Sequence, residues 1–207
     1  MEQSELKFNT TPNWITLLRM AFVPVVVGML YMKTPTWDFI AAITFGIASI
    51  TDYFDGYIAR MQKSFSVYGK LMDPLADKFL VVSCLIMLQE LGRISAIIVM
   101  ILICREIGIT ALRALASAEG VIIGASFSAK WKTATQMVAI PFLMVSASYY
   151  GIPFFRIGEI LLYISLFISL WSAKDYIVDF FKAVREKRKN KKLLKKKLKA
   201  PRNPGDI

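Results

Sequence analysis

The sequence predicts an all-α integral membrane bundle of six transmembrane helices with an N-terminal interfacial segment. Three observations carry that prediction. Of 207 residues, 56% are hydrophobic and only 20% are charged, and the mean hydropathy is +0.50, a membrane composition. Apolar stretches of about 20 residues, the length that crosses hydrocarbon as a helix, recur six times. The breaks between them are short, and none has room for a second domain.

Taken in order, "TPNWITLLRM" (11–20) offers Thr11 as an N-cap ahead of Pro12 in the first helical turn. Asn13, Thr16 and Arg19 then lie at the membrane surface. The start, "MEQSELKFNTTPNW", lacks a basic region followed by a short apolar core and a small-residue cleavage site, so no removable signal peptide is expected. Spans follow at 14–32, 38–60, 70–91, 94–117, 130–149 and 157–181. They are separated by "KTPTWD" (33–38), "QKSFS" (62–66), "LGR" (91–93), "AEGVIIGASFSAK" (118–130) and "YGIPFFRIG" (150–158). Residues 1–181 thus form one six-span membrane domain, and 182–207 a polybasic cytoplasmic tail, partly disordered.

Charge sets the orientation. The formal charge is +11, but from Lys182 onward twelve basic residues face only Glu186 and Asp206, so the tail carries +10 and the rest is nearly neutral. Nucleic-acid binding is therefore a poor reading of the whole chain; the tail suits anionic lipid, at about 1 kcal/mol per basic residue near the surface. Arg60, Lys63 and Lys70 flank the second break, and Arg113, Lys130 and Lys132 the fourth, whereas breaks one, three and five hold only Lys33, Arg93 and Arg156. The positive-inside bias puts breaks two and four, the tail and both termini in the cytoplasm, for a multi-pass membrane protein. Cys84 and Cys104 lie in apolar segments, and with no His in the chain they make no metal-ligand pattern.

The segment "TDYFDGYIARMQKSFSVYGKLMDPLADK" (51–78) breaks the apolar pattern with Asp52, Asp55, Asp73 and Asp77. A central Asp costs about 2.5–3.5 kcal/mol on insertion, and such residues mark function. Helical spacing puts Asp52, Asp55, Gly56, Ala59 and Arg60 on one stripe and Gly69, Asp73 and Asp77 on another. A turn at "QKSFS" then folds the two stripes face to face near the cytoplasmic surface. Arg60, Lys70 and Lys78 do not balance four carboxylates at close quarters. Hard divalent ions do: oxygen-only ligands favour Mg²⁺ or Mn²⁺, and shared carboxylates suit two ions about 3.5–4 Å apart that clamp a phosphoryl group. Small residues leave room for a ligand against the backbone, and Arg60 can fork onto phosphate oxygens. Close helix packing at the small residues, a structural ion-pair network and a cation-coupled transporter are the competing readings. Against the transporter, the acids cluster in one hairpin and no second half of the chain echoes the first.

The pattern Asp52-x2-Asp55-Gly56-x2-Ala59-Arg60-x8-Gly69-x3-Asp73-x3-Asp77 resembles, without gap or substitution, the motif of the CDP-alcohol phosphotransferases. Those are six-helix membrane enzymes, usually homodimers, in which an alcohol attacks the β-phosphorus of a CDP-linked lipid and CMP leaves. The resemblance implies that Asp52, Asp55, Asp73 and Asp77 bind two divalent cations, that Asp77 also takes the alcohol proton, and that Asp52, Gly56, Ala59, Arg60 and Gly69 line the CDP site. "CREIGITALRALASAEGVIIGASFSAKWKT" (104–133) is similar to the phosphatidylglycerophosphate synthase branch, with Ser128-Ala129 where a Gly is expected before the lysine. That branch implies CDP-diacylglycerol as donor and sn-glycerol 3-phosphate as acceptor, its phosphate held by Arg105, Arg113, Lys130 and Lys132. The plainer readings are the positive-inside bias for Arg113, Lys130 and Lys132, and a structural pair for Arg105 and Glu106. Inositol phosphate, serine or phosphatidylglycerol are the alternative acceptors.

Overall fold

The computed structural model describes the backbone of residues 11–62, 67–121, 127–148 and 151–199 and, within these, the side chains of 20–51, 78–121, 130–148, 151–187 and 189. The described residues are helical: α1 (Thr11–Tyr31), α2 (Pro35–Gln62), α3 (Val67–Glu90), α4 (Ala96–Ala118), α5 (Phe127–Met144) and α6 (Phe154–Lys199). Each predicted span corresponds to one helix, in order.

Local chemistry sets several helix ends. The Trp37 N–H donates to Thr34 Oγ1 at 3.3 Å, which makes Thr34 the N-cap of α2 with Pro35 at the first helical position. At the end of α3, Gly92 takes φ +70°; its N–H reaches the Gln89 carbonyl and that of Arg93 the Leu88 carbonyl, closing a Schellman turn. Gly120 (φ +64°) repeats the arrangement after α4, where the N–H of Gly120 reaches Ser117 and that of Val121 reaches Ala116.

Packing is closest between α5 and α6; α1 lies against α2 and α3, α2 against α5, and α4 against α6. At Gly158 a Cβ would stand 2.8 Å from the Leu143 backbone nitrogen, so only hydrogen allows that approach. The core joins Val26 and Leu30 of α1, Phe45 of α2, Leu85 and Leu88 of α3, and Ile140 and Leu143 of α5. The outside is also apolar. On α2, Ile40, Ile43, Ile47 and Ile50 face outward while Ala41, Ala42 and Ala48 face inward. On α6, Ile160, Phe167 and Trp171 face outward while Ser165, Ser169, Ser172 and Tyr176 are buried. Water-soluble helices show the reverse distribution.

One buried ionic clasp joins breaks one and three to the end of α5 and the segment after it. Arg93 Nη2 donates to Asp38 Oδ2 at 2.5 Å, and Ser146 donates to the same oxygen at 2.6 Å. Arg93 Nη1 donates to the carbonyls of Leu143, at 3.4 Å, and Met144. These are end carbonyls of α5, which lack intrahelical partners. The helix accordingly stops at Met144 instead of running to 149, because a cation about fifty residues away in sequence caps it. At the opposite end of α4, Gly120 lies beside Lys187 of α6. There α6 continues to Lys199 rather than ending near 181, in keeping with the helix propensity of its Lys, Leu and Glu.

Among the described residues, 154–187 is the helix long and apolar enough to cross a membrane by length and composition, and Met20–Tyr31 is a shorter apolar stretch. Over α4, Arg105, Glu106 and Arg113 interrupt an otherwise apolar run.

Candidate active site

The motif carboxylates sit on two helix ends. Asp52 and Asp55 lie in the last turns of α2, and Asp73 and Asp77 near the start of α3. Helical register places Asp52, Asp55, Gly56, Ala59 and Arg60 along one side of α2, and Gly69, Asp73 and Asp77 along one side of α3. The side chains of all eight lie outside the described residues, as does the break at 63–66. Among the described side chains, no group of three His, Cys, Asp or Glu could hold a metal.

The first described side chain after the motif is Lys78, one peptide unit from Asp77, about 3.8 Å between Cα atoms. Lys78 lines a cavity of about 410 Å³ between α3, α4, α5 and α6, together with Arg105, Glu106, Arg113, Lys130, Lys132, Gln136, Ser172 and Tyr176. Its apolar floor is made by Leu85, Leu102 and Met137, among others. Among the described residues, five cations line it against one carboxylate, a balance that favours anions.

The cations are not equivalent. Glu106 ties three of them: Arg105 Nη1 donates to Oε2 at 3.2 Å, Lys132 Nζ donates to the same oxygen, and Lys78 Nζ is 3.8 Å from Oε1. Arg105 also donates from Nε to the Ser169 carbonyl of α6 at 3.0 Å, and Lys78 donates to Thr110 Oγ1. Lys132 is buried, and its carbonyl accepts from Ser165 at 3.2 Å. By contrast, Arg113 and Lys130 make no ion pair with any described residue. Arg113 stands over the Tyr176 ring, 5.9 Å from its centroid, and the Tyr176 hydroxyl is buried without a described hydrogen-bond partner. Arg113 and Lys130 thus carry two positive charges that no described carboxylate offsets directly.

The profile of the CDP-alcohol phosphatidyltransferase family matches residues 9–171. The chain belongs to this family. It is 35% identical over 166 residues to the CDP-diacylglycerol--glycerol-3-phosphate 3-phosphatidyltransferase of Rickettsia bellii, covering 80% of this chain and 92% of that protein. With the enzymes of the same name from Bacillus subtilis and Haemophilus influenzae the identities are 32% and 36%, over 84% and 83% of this chain and 96% and 93% of theirs.

In this CDP-alcohol phosphatidyltransferase, Arg105, Arg113, Lys130 and Lys132, chosen from sequence, line one cavity. Lys78 had figured only as an insufficient counter-charge to the aspartates, and Gln136, Ser172 and Tyr176 went unnoticed. Ser172 and Tyr176 lie beyond the end of the family match. Their available signal was the polar spacing 165, 169, 172, 176 within an otherwise apolar helix, one face of α6.

Proposed function

We propose that this enzyme transfers the phosphatidyl group of CDP-diacylglycerol to sn-glycerol 3-phosphate, giving phosphatidylglycerophosphate and CMP. The observation that carries the reading is the cationic cavity of Arg105, Arg113, Lys130 and Lys132, which Lys78, the neighbour of Asp77, also lines. A soluble acceptor with its own phosphate suits that charge, and the activity named for the bacterial relatives supports it.

The donor chemistry of the motif fits divalent cations. Four carboxylates at helical spacings of three and four, with neither His nor thiolate among them, suit Mg²⁺ or Mn²⁺. Asp52, Asp55, Asp73 and Asp77 would hold two such ions, whose charge offsets that of the pyrophosphate and of the in-line displacement. The chain's own groups do the rest. Arg60 forks onto phosphate oxygens of the CDP group, and Asp52, Gly56, Ala59 and Gly69 line its site. Arg113 and Lys130 hold the acceptor phosphate. Asp77 takes the proton of the attacking hydroxyl as its oxygen bonds to the β-phosphorus and the bond to CMP breaks.

The same reading makes the protein a six-span enzyme of a bacterial inner membrane. The apolar exterior of the helices and the clasp that gathers breaks one and three and the segment after α5 support it. Breaks two and four, both termini and the active site then lie on the cytoplasmic side. Lysines of the α6 extension meet anionic lipid, and the functional unit is a homodimer.

Purified protein assayed with labelled CDP-diacylglycerol and a panel of acceptors tests the reading. CMP release should depend on sn-glycerol 3-phosphate and stop with EDTA. Release driven by inositol phosphate, serine or phosphatidylglycerol instead would reassign the acceptor; full activity in the chelated protein would refute the role of divalent ions.

A further inference from the structure

The two oxygens of Glu106 are used unequally. Oε2 accepts from Arg105 at 3.2 Å and from Lys132, which takes up its lone pairs. Among the described residues, Oε1 has only the 3.8 Å ion contact with Lys78, beyond hydrogen-bond length. The Glu106 side chain lines the cavity and is 26% exposed, so Oε1 keeps acceptor capacity toward whatever fills that space. A phosphate cannot use it, because both groups are anionic. A hydroxyl can.

Glu106 lines the same cavity as Arg113, on the side of α4 that Lys78 of α3 approaches. Glu106, Thr110 and Arg113 share one face of α4, and all three line the cavity. Arg113 stands two helical turns from Glu106, about 10 Å along the axis, with its long side chain directed back toward the N-terminus of the helix as helical side chains are. On the other flank, Lys78 follows Asp77 in the chain. An acceptor with phosphate at the Arg113 end and its attacking hydroxyl at the Asp77 end carries its middle carbon past Glu106.

We propose that Glu106 Oε1 accepts a hydrogen bond from an acceptor hydroxyl that does not react, the C2 hydroxyl in sn-glycerol 3-phosphate, and thereby selects polyol phosphates over simple hydroxyalkyl phosphates. The inference rests on the acceptor assignment made above. In it, Arg105 and Lys132 orient the carboxylate by saturating Oε2, and selectivity comes from the oxygen they leave over.

The test compares kcat/KM for sn-glycerol 3-phosphate with that for 3-hydroxypropyl phosphate, which lacks only the C2 hydroxyl, in the full-length wild type and in Glu106→Gln. The glutamine carbonyl must stay with Arg105 and Lys132, since an amide NH2 cannot accept from them; the NH2 donor then takes the place of Oε1. The wild type should prefer glycerol phosphate by roughly tenfold or more. In Glu106→Gln the ratio should fall severalfold, because a neutral amide NH2 donating to the C2 hydroxyl replaces a stronger bond to a carboxylate, and a ratio measured on one preparation does not depend on the folded fraction. If Glu106→Gln does not fold, Glu106→Asp, which keeps the charge but retracts it by one methylene, should also lower the ratio. A substituted enzyme that is slower but keeps the wild-type ratio would reduce Glu106 to a structural tie and overturn the proposal, as would a wild type that does not discriminate. A wild type that makes product from neither compound but from another acceptor fails the acceptor assignment itself, and the role of Glu106 falls with it.

Discussion

Arg93→Ala probes the clasp that gathers three inter-helix breaks, and the structure sets its expected size. The Asp38 side chain is 1% exposed and that of Arg93 12%, so the pair lies almost wholly away from solvent. Truncating Arg93 removes the 2.5 Å ion pair and the donors to Leu143 and Met144. It leaves Asp38 with Ser146 on Oδ2 and no described partner on Oδ1. Stranding a buried carboxylate in this way costs about 3–5 kcal/mol, a fall in melting temperature on the order of 10 °C for a chain of this size. Thermal inactivation in detergent reads the loss directly. Asp38→Leu combined with Arg93→Met should recover much of it, because apolar groups of similar volume need no partner. The KM values of the surviving enzyme should stay at wild-type levels, since the clasp and the carboxylate motif lie at opposite ends of α2 and α3. An Arg93→Ala protein melting within about 2 °C of wild type would show that the pair contributes nothing and refute the reasoning.

Asp77→Asn keeps an oxygen ligand but loses the proton acceptor, so kcat should collapse while binding of CDP-diacylglycerol persists; near-normal kcat would move the base elsewhere. Arg113→Ala and Lys130→Ala should each raise the KM for glycerol phosphate by roughly ten- to a hundredfold, the worth of a charge-assisted contact, with the KM for CDP-diacylglycerol unchanged; equal effects on both substrates would assign these cations to folding or to the lipid surface. Lys132→Ala, by contrast, removes a buried partner of Glu106 and should lower thermal stability as well as turnover, measured on the same preparation. Gly158→Ala forces a methyl group to within 2.8–3.0 Å of Leu143 and Phe142 and should cost about 1–3 kcal/mol, read as a lower melting temperature.

The sequence by itself determined the order of the six helices seen among the described residues, because long apolar runs between short polar breaks can be read without tertiary context. It also identified the family through Asp52, Asp55, Asp73 and Asp77, since fixed spacing on a helix encodes a shared face, and it picked out the four cations that line the cavity. Helix ends were less legible. The stop of α5 at Met144 depends on Arg93, and the run of α6 to Lys199 on propensity that outlasts the apolar pattern. Only the tertiary structure decided which cations are already paired. Arg105 and Lys132 look the same as Arg113 and Lys130 in a list of positive charges, yet Glu106 ties the first two and not the second. Lys78, Glu106, Lys132 and Tyr176 come from four different helices, and their meeting around one cavity follows from how those helices cross. Asp38 and Arg93, 55 positions apart, are two unremarkable loop-end charges until the bundle closes and removes the water between them. Helical periodicity is a local property and can be read along the chain; charge pairing and burial arise between segments, and only packing creates them.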